Sequence, residues 1–538
     1  MSEATVLVHH QPKVGSWAWW VGVPGNKPLL CLILLAFFLT MVLIPVPASM
    51  VNLITEEKPL GSKLESGTVT YLESYNKYIG SGENALTAEQ VGQRAKITVG
   101  LLLTVALLWG TEAIPLGATN FMVAVMLYIF MILPLDRISQ AFMKDAVFFI
   151  GGVLCVAAGV SITGLDRRIG YLLMGRIGGL KSLCFIFFPM LALLAGFFSE
   201  HALVAILCPI LLLVYMQACK KAGVQFDKKL AVLLFIGICF AANVGGSASP
   251  AVGGRAAVMV GYFSDYNMPI SFTQWMMYGF PLAVILGLAM GAYMYFVLGR
   301  KSAAKDFSIA QAMKENVTGI GPLRGKELTM AILFAALVVL WLFFSGSFGL
   351  GGTTIIIVVL MLLSRVVSWQ DLQRRVAMDV VLLYAAACAM GVALDKTGGA
   401  LWLARAFLDF LPSFMTEGQW IIIAVSLMTA IVTNFMSDGA TVAAIGPVVL
   451  PMAEISGMHL WKIGLACSFT SSFAHIMIVG TVNNAIAYTM AKHPETGEQL
   501  ITVMDFVKYG IGAVILSLIV TWGVAFWGYW NLLPWPGM

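Results

Sequence analysis

The sequence predicts an all-α polytopic membrane protein, with about 11 transmembrane helices and two re-entrant hairpins arranged as inverted repeats. Three observations predict it. First, the 538 residues are 59% hydrophobic and only 11% charged, with a mean hydropathy of +0.89, against about 25% charged in a soluble domain. Second, apolar stretches recur along the whole chain, most of them near the roughly 20 residues that a spanning helix needs. Third, two further apolar stretches, 184–214 and 418–456, carry a polar break in the middle: Ser199-Glu200-His201 and Ser437-Asp438-Gly439. Charge at that depth is expensive on a span facing lipid, whereas a hairpin tip facing a watery cavity avoids the cost. This composition excludes a soluble enzyme, a nucleic-acid binder and a disordered chain.

Residues 1–27 form an N-terminal segment in which Trp17, Trp19 and Trp20 suit the membrane interface. His9, His10 and the other polar groups there do not make a cleavable signal peptide. Residues 28–95 hold a first span, 28–47, and a polar outer loop, 48–95. Residues 96–298 form the first repeat: spans 96–112, 115–134 and 145–163, the hairpin 184–214, the long span 229–262 and the span 274–298. A linker, 299–326, leads to the second repeat, 327–531, with spans 327–347, 351–366 and 378–395, the hairpin 418–456, the long span 462–490 and the span 507–531.

Spans 229–262 and 462–490 are too long for one straight helix. Each has a weak point, Asn243 to Pro250 in one and Gly480 to Asn484 in the other, because Gly and Pro free backbone groups in a helix. Broken helices facing hairpin tips, in two like-ordered halves, put a binding site at the interface of the halves. Lys and Arg set the orientation. Arg167, Arg168, Arg176 and Lys181, then Lys220, Lys221, Lys228 and Lys229, fall in loops on one side, while the loops 263–273 and 345–352 hold no Lys or Arg. The N-terminus is then cytoplasmic, the hairpins enter from opposite sides, and the short loops favour a plasma or inner membrane. The eight cysteines are scattered without paired spacing, so neither a disulfide framework nor a metal site is read from them.

Glu200 and Asp438 have two readings. As carboxylates they ligate a hard cation such as Na⁺; as buried acids they take up protons. They also have a structural reading, in which they pair with Arg255 and His201 to neutralise the cavity. Arg255 carries a planar fork suited to a carboxylate, sulfonate or phosphate, or it ties Glu200 in place. His201 and His475 could bind substrate, carry protons or donate hydrogen bonds. Glu112 is read as pinning the turn before Pro115, and Asp379 as a helix N-terminal acid. His-Glu-x-x-His, Gly-x-Ser-x-Gly and the aspartyl-protease pair do not occur, so an enzyme is not expected and no cofactor is implied. There is no Gly-Lys-Ser/Thr phosphate loop, so a gradient is the expected drive.

Several stretches resemble the divalent anion:sodium symporter family. They are Thr111-Glu112-Ala113-Ile114-Pro115-Leu116 after Trp109, Thr163 to Ile169, Asp379-Val380-Val381-Leu382-Leu383-Tyr384, and Thr481-Val482-Asn483-Asn484-Ala485-Ile486. The resemblance covers roughly 96–531. It implies a homodimer, with a scaffold part that dimerises and a transport part that moves as an elevator through the lipid. It also implies a secondary transporter moving a small anion, a di- or monocarboxylate or sulfonate-like, together with Na⁺.

Matched by position, the family's paired Ser-Asn-Thr motifs fall on Ser199, Glu200, His201 and on Ser437, Asp438, Gly439. Both serines are kept, both Asn positions are acidic and both Thr positions are lost. The cation sites so implied draw on Ser199, Glu200, Asn243, Gly245 and Gly246, and on Thr433, Ser437, Asp438 and Thr481. The substrate would touch Ser199, His201, Arg255, Ser437, Gly439, Asn483 and Asn484. The alternative is a proton-coupled anion transporter, or a cation/proton exchanger, working through Glu200 and Asp438.

Overall fold

The computed structural model describes residues 15–23, 25–56, 70–312 and 321–536. The described residues are helical throughout, with isolated bridges at Val23–Asn26 and Lys492–Gln499 as the only β pairing among them. Nine described helices are long and apolar enough to cross a membrane. A tenth is added if Pro28–Leu43 and Ala48–Thr55, bent by 62°, are one span. The chain is an integral membrane protein.

Individual elements differ from the sequence reading in five places. The stretch 48–95 is not a loop in its described parts: Ala48–Thr55, Tyr71–Ile79 and the start of Ala88–Thr111 are helical, while 57–69 lie outside the described residues. This region is bound into the core. Tyr75 is fully buried and donates to Ile132 O at 2.5 Å, and Lys96 donates to Val42 O at 3.2 Å and to Ile44 O. The expected span 115–134 holds a 14-residue helix, Leu116–Ile129. The first hairpin is longer than 184–214. Its limbs are Leu180–Ala195 and Glu200–Ala222. The second broken helix opens earlier than Gly480. Leu460–Thr470 ends at Ser471, and the helix resumes only at Val482–Met490.

Gly325–Leu363 runs through both expected spans 327–347 and 351–366, with a kink at Gly349 (φ 71°). The kink exposes backbone donors, which in lipid must find partners. The Asp145 carboxylate supplies them, accepting from Gly351 N at 3.1 Å and Gly352 N at 3.3 Å. A side chain at Gly349 would collide with that carboxylate, since a Cβ would sit 2.7 Å from Asp145 Oδ1.

The same order of elements runs twice. After Asp145–Thr163 come the amphipathic Leu165–Met174, the first hairpin, and a broken helix made of Lys228–Val244 and Gly254–Asp265. After Met378–Thr397 come Gly399–Phe410, the second hairpin with limbs Trp420–Val432 and Asp438–Ser456, and the second broken helix. The packing between the two series is crossed. Gly254–Asp265 lies against Asp438–Ser456, and Val482–Met490 lies against Glu200–Ala222. Tyr262 locks the first of these contacts: it is 2% exposed and donates to Ala443 O at 2.9 Å.

Polar clamps join the pieces at the ends. Lys144 pairs with Asp265, Lys228 with Asp505 at 2.5 Å, and Arg168 with Glu327 through two hydrogen bonds of 2.6 and 2.8 Å. Asp227 is the densest clamp. Its Oδ1 caps the following helix by accepting from Lys229 N and Leu230 N. Its Oδ2 accepts from Ser302 Oγ, Ala303 N and Ala304 N, which anchors the start of the linker. Burial pushes this carboxyl up, but the hydrogen bonds from Ala304, Ser302, Leu230 and Ala303 outweigh burial and hold it below the usual range. A depressed folded pKa contributes stability above the unfolded value of about 3.9, and loses it as pH falls through the folded value. Asp227→Ala should therefore lower thermal stability by about 1–3 kcal/mol at neutral pH, with the gap to the wild type narrowing only below about pH 4; thermal unfolding in detergent across pH checks both.

Candidate functional site

Both hairpin tips are helix N-termini. Ser199 caps Glu200–Ala222 by accepting from Ala202 N, and Ser437 caps Asp438–Ser456 by accepting from Ala440 N, each at 3.4 Å. Glu200 and Asp438 are thus each the first residue of a helix, where the helix dipole favours negative charge. Their side chains converge on one residue. Arg255, in the first turn of the resumed half-helix Gly254–Asp265, is 2% exposed. Its Nη1 donates to Glu200 Oε1 at 3.3 Å and to Asp438 Oδ2, and its Nη2 donates to Glu200 Oε2 at 3.5 Å. Removing one partner of such a buried pair costs about 3–5 kcal/mol, because a charge is left stranded.

The pairing of both acids with Arg255 is the structural alternative read from the sequence. His201 does not join it. Its Nδ1 lies 2.7 Å from Asn483 Oδ1, and Asn483 Nδ2 donates to Asn243 Oδ1 at 2.7 Å. Asn243 Nδ2 in turn lies 3.4 Å from His475 Nδ1, and His475 Nε2 lies 3.4 Å from Ser517 Oγ. His475 is fully buried against the Phe240 and Phe473 rings, with centroids 4.8 and 6.0 Å away. One polar chain therefore runs from the first tip through both broken helices. Arg255 and Asn483 occupy matching places: each is the second residue of a resumed half-helix, and each reaches the tip of the opposite hairpin.

The remaining predicted residues divide into caps and clamps. Thr481 Oγ1 caps Val482–Met490 by accepting from Asn483 N at 3.4 Å. Thr433 donates to Ser471 O at 2.5 Å, and Asn484 Nδ2 donates to Ala474 O and Met477 O at 2.8 and 2.9 Å. These bonds satisfy carbonyls freed by the second break. Gly245 and Gly246 form the turn of the first break. A Cβ on Gly246 would lie 2.2 Å from Arg255 Nη2 and 2.1 Å from Ser472 Oγ, so only glycine lets the guanidinium seat there. Gly439 lies against Tyr384, whose hydroxyl would be 2.6 Å from a Cβ at that position.

Three polar residues of this region escaped the sequence reading: Tyr384, Asn434 and Ser472. Asn434 pins the second break to the second tip, accepting from Ile476 N at 2.8 Å and donating to Phe473 O at 3.2 Å. An amide inside an apolar run, beside Thr433, was the available signal. Tyr384 had no such signal, since a tyrosine in a span also reads as core.

A cavity of about 340 Å³ opens beside the charged cluster. Ser199, Glu200, His201, Arg255 and Asp438 line one end. Phe197, Phe198, Phe334, Trp341 and Tyr384 line much of the rest, together with aliphatic side chains of Asp145–Thr163. Ser437, Gly439, Asn483 and Asn484 are not part of its wall.

The transmembrane region of the sodium:sulfate symporters matches residues 87–535. The chain belongs to the sodium:sulfate symporter family. This agrees with the resemblance to divalent anion:sodium symporters carried by the sequence motifs. A sodium-dependent high-affinity dicarboxylate transporter 3 of Caenorhabditis elegans is 25% identical over 467 residues, covering 77% of this chain and 80% of the relative. A sodium-dependent dicarboxylate transporter of Staphylococcus saprophyticus is 21% identical, covering 80% of this chain and 86% of the relative. Among solved structures, the antimetabolite efflux pump MtrF of Neisseria gonorrhoeae overlays with a TM-score of 0.49 and 15% identity, covering 73% of this chain and 83% of that one.

Asn434 gives a direct check on the chain's second break. Asn434→Ala strands Ile476 N, at about 1–3 kcal/mol for one orphaned group, whereas Phe473 O keeps the hydrogen bond from His475 N at 2.9 Å. A thermal-stability measurement should show the loss, and an unchanged melting temperature would mean that the break is held by other bonds.

Proposed function

We propose that this chain is a secondary active transporter that carries a small anion across the membrane together with Na⁺. The observation that carries the reading is the meeting of two serine-capped hairpin tips and two broken helices around one buried and one partly buried carboxylate, in a chain of the sodium:sulfate symporter family. The names of the relatives, sodium-dependent dicarboxylate transporters, support the same drive and a dicarboxylate cargo.

The charge count explains why anion and cation would travel together. With both acids ionised, Glu200, Asp438 and Arg255 sum to one negative charge. An anion entering the cavity meets repulsion unless cations join it, and a hard monovalent cation suits the carboxylate, hydroxyl and carbonyl oxygens at the tips. Glu200 with Ser199, Asn243, Gly245 and Gly246 is one proposed cation site. Asp438 with Thr433, Ser437 and Thr481 is the other. Ser199, His201 and Arg255, in the cavity wall, would hold the anion first, and Ser437, Gly439, Asn483 and Asn484, which lie outside that wall, would complete the substrate site. In the full reading the two like-ordered series are inverted repeats, the chain is a homodimer of the plasma or inner membrane with a cytoplasmic N-terminus, and the hairpins and broken helices move as one body past the scaffold. Neutralising the bound anion lowers the cost of carrying it through a low-dielectric medium.

Reconstituted in liposomes, the protein should take up labelled succinate or sulfate under an inward Na⁺ gradient, and Glu200→Gln and Asp438→Asn should each cut the rate by roughly tenfold or more, as expected when a buried charged ligand is removed. Uptake driven by an inward proton gradient alone would reassign the two carboxylates to proton transfer. No uptake of either anion under any gradient would overturn the cargo class.

A further inference from the structure

The two tip acids do not wait empty for a cation: they already hold one, and it belongs to the chain. The Arg255 guanidinium reaches Glu200 of the first hairpin and Asp438 of the second at once. It is 2% exposed, and Gly246 leaves it the space to lie there. The geometry points to Arg255 as a tethered counter-ion that stands in the place of one coupling cation and competes with Na⁺ for the same two carboxylates.

Three features of the site fit that role. The guanidinium comes from the resumed half of a broken helix, whereas both acids come from hairpin tips, so the pair can part without unfolding any helix. Arg255 Nε is buried and has no partner among the described residues, so the head is not fully spent on its present contacts. Unpaired, the two acids would be stranded at membrane depth, and one fixed cation leaves the ion-free site with a single net charge. A Na⁺ ion that takes the Glu200 or Asp438 oxygen now facing Arg255 displaces the guanidinium from it, and the freed fork then has a donor to offer a bound carboxylate or sulfate. The number of Na⁺ ions needed per cycle falls by one, and Na⁺ affinity is held down by an internal competitor.

This inference rests on the reading of the tips as the cation site, and Na⁺-driven uptake by the unaltered protein tests that reading separately. Arg255 is tested by titrating Na⁺ into purified protein in lipid nanodiscs at constant ionic strength, reading the part of the intrinsic tryptophan fluorescence change that is lost in Trp341→Phe, since Trp341 lines the cavity. Arg255→Ala should reach half-saturation at a Na⁺ concentration lower by roughly tenfold or more, since a buried charged competitor is gone. Millimolar guanidinium should raise it again towards the wild-type value, while urea, a neutral molecule of nearly the same shape, should not. Equal or weaker Na⁺ affinity in Arg255→Ala, or equal effects of guanidinium and urea, overturns the proposal. Should Arg255→Ala not fold, Arg255→Lys decides: its compact ammonium lacks the fork that spans both acids, so Na⁺ affinity should still rise, and an unchanged affinity overturns the proposal.

Discussion

Two carboxylates placed at membrane depth need a positive charge, and Arg255 is the protein's own answer. That constraint orders much of the structure. The arginine has to reach two hairpins that belong to different halves of the chain, so it sits in the first turn of a helix that starts between them. The helix can start there only because the span before it ends at Val244, and a run of turns rich in Gly and Ser carries the chain across the gap. Gly254 is part of the same arrangement, since a Cβ there would overlap the Tyr384 ring.

Breaking a span in a membrane leaves backbone groups without partners, and water cannot repair the loss. Short polar side chains do so here. Asn434 and Asn484 hold the segment between Thr470 and Val482 from two sides, and Thr433 takes the Ser471 carbonyl. In the first break Ser249 donates to Gly196 O, joining the break to the approach of the first tip, and Ser247 donates to Gly279 O at 3.2 Å. The breaks are consequently held by specific bonds. Those bonds fix where Asn243, Asn483 and His475 meet.

The altered motifs acquire a physical meaning from this arrangement. The resemblance implies an amide at each tip where this chain has Glu200 and Asp438, and Arg255 stands in the first broken helix. These three departures touch one another in space. They form one electrostatic unit, in which each charge makes the others tolerable. His201, the other ionisable group at the first tip, belongs to the amide chain instead.

Much of the fold was legible in the sequence, because a bilayer turns hydropathy into a direct requirement on length. The order of apolar segments, the polar interruption in each hairpin, and the weak point at Asn243 to Pro250 follow from local composition; the count does not, since about 11 spans were expected and nine described helices, or ten with the bent pair, are long enough. The sequence also marked a boundary between 347 and 351, but read it as a loop between two spans where the structure has a kink at Gly349. Local composition was silent where partners lie far along the chain. It did not show that Ala48–Thr55, Tyr71–Ile79 and the start of Ala88–Thr111 pack as helices, because the burial of Tyr75 depends on Ile132. It placed the second break too late, because the residues from Ser471 to Val479 include enough apolar side chains to read as helix; the amides at 434 and 484 decide otherwise. Sequence alone determined that this chain lives in a membrane, that its charges at depth are few, and which residues carry them. Only the tertiary structure decided that Arg255 spans both acids while His201 turns to Asn483, because those partners stand 55, 183 and 282 residues apart and meet only through the crossed packing of the two halves.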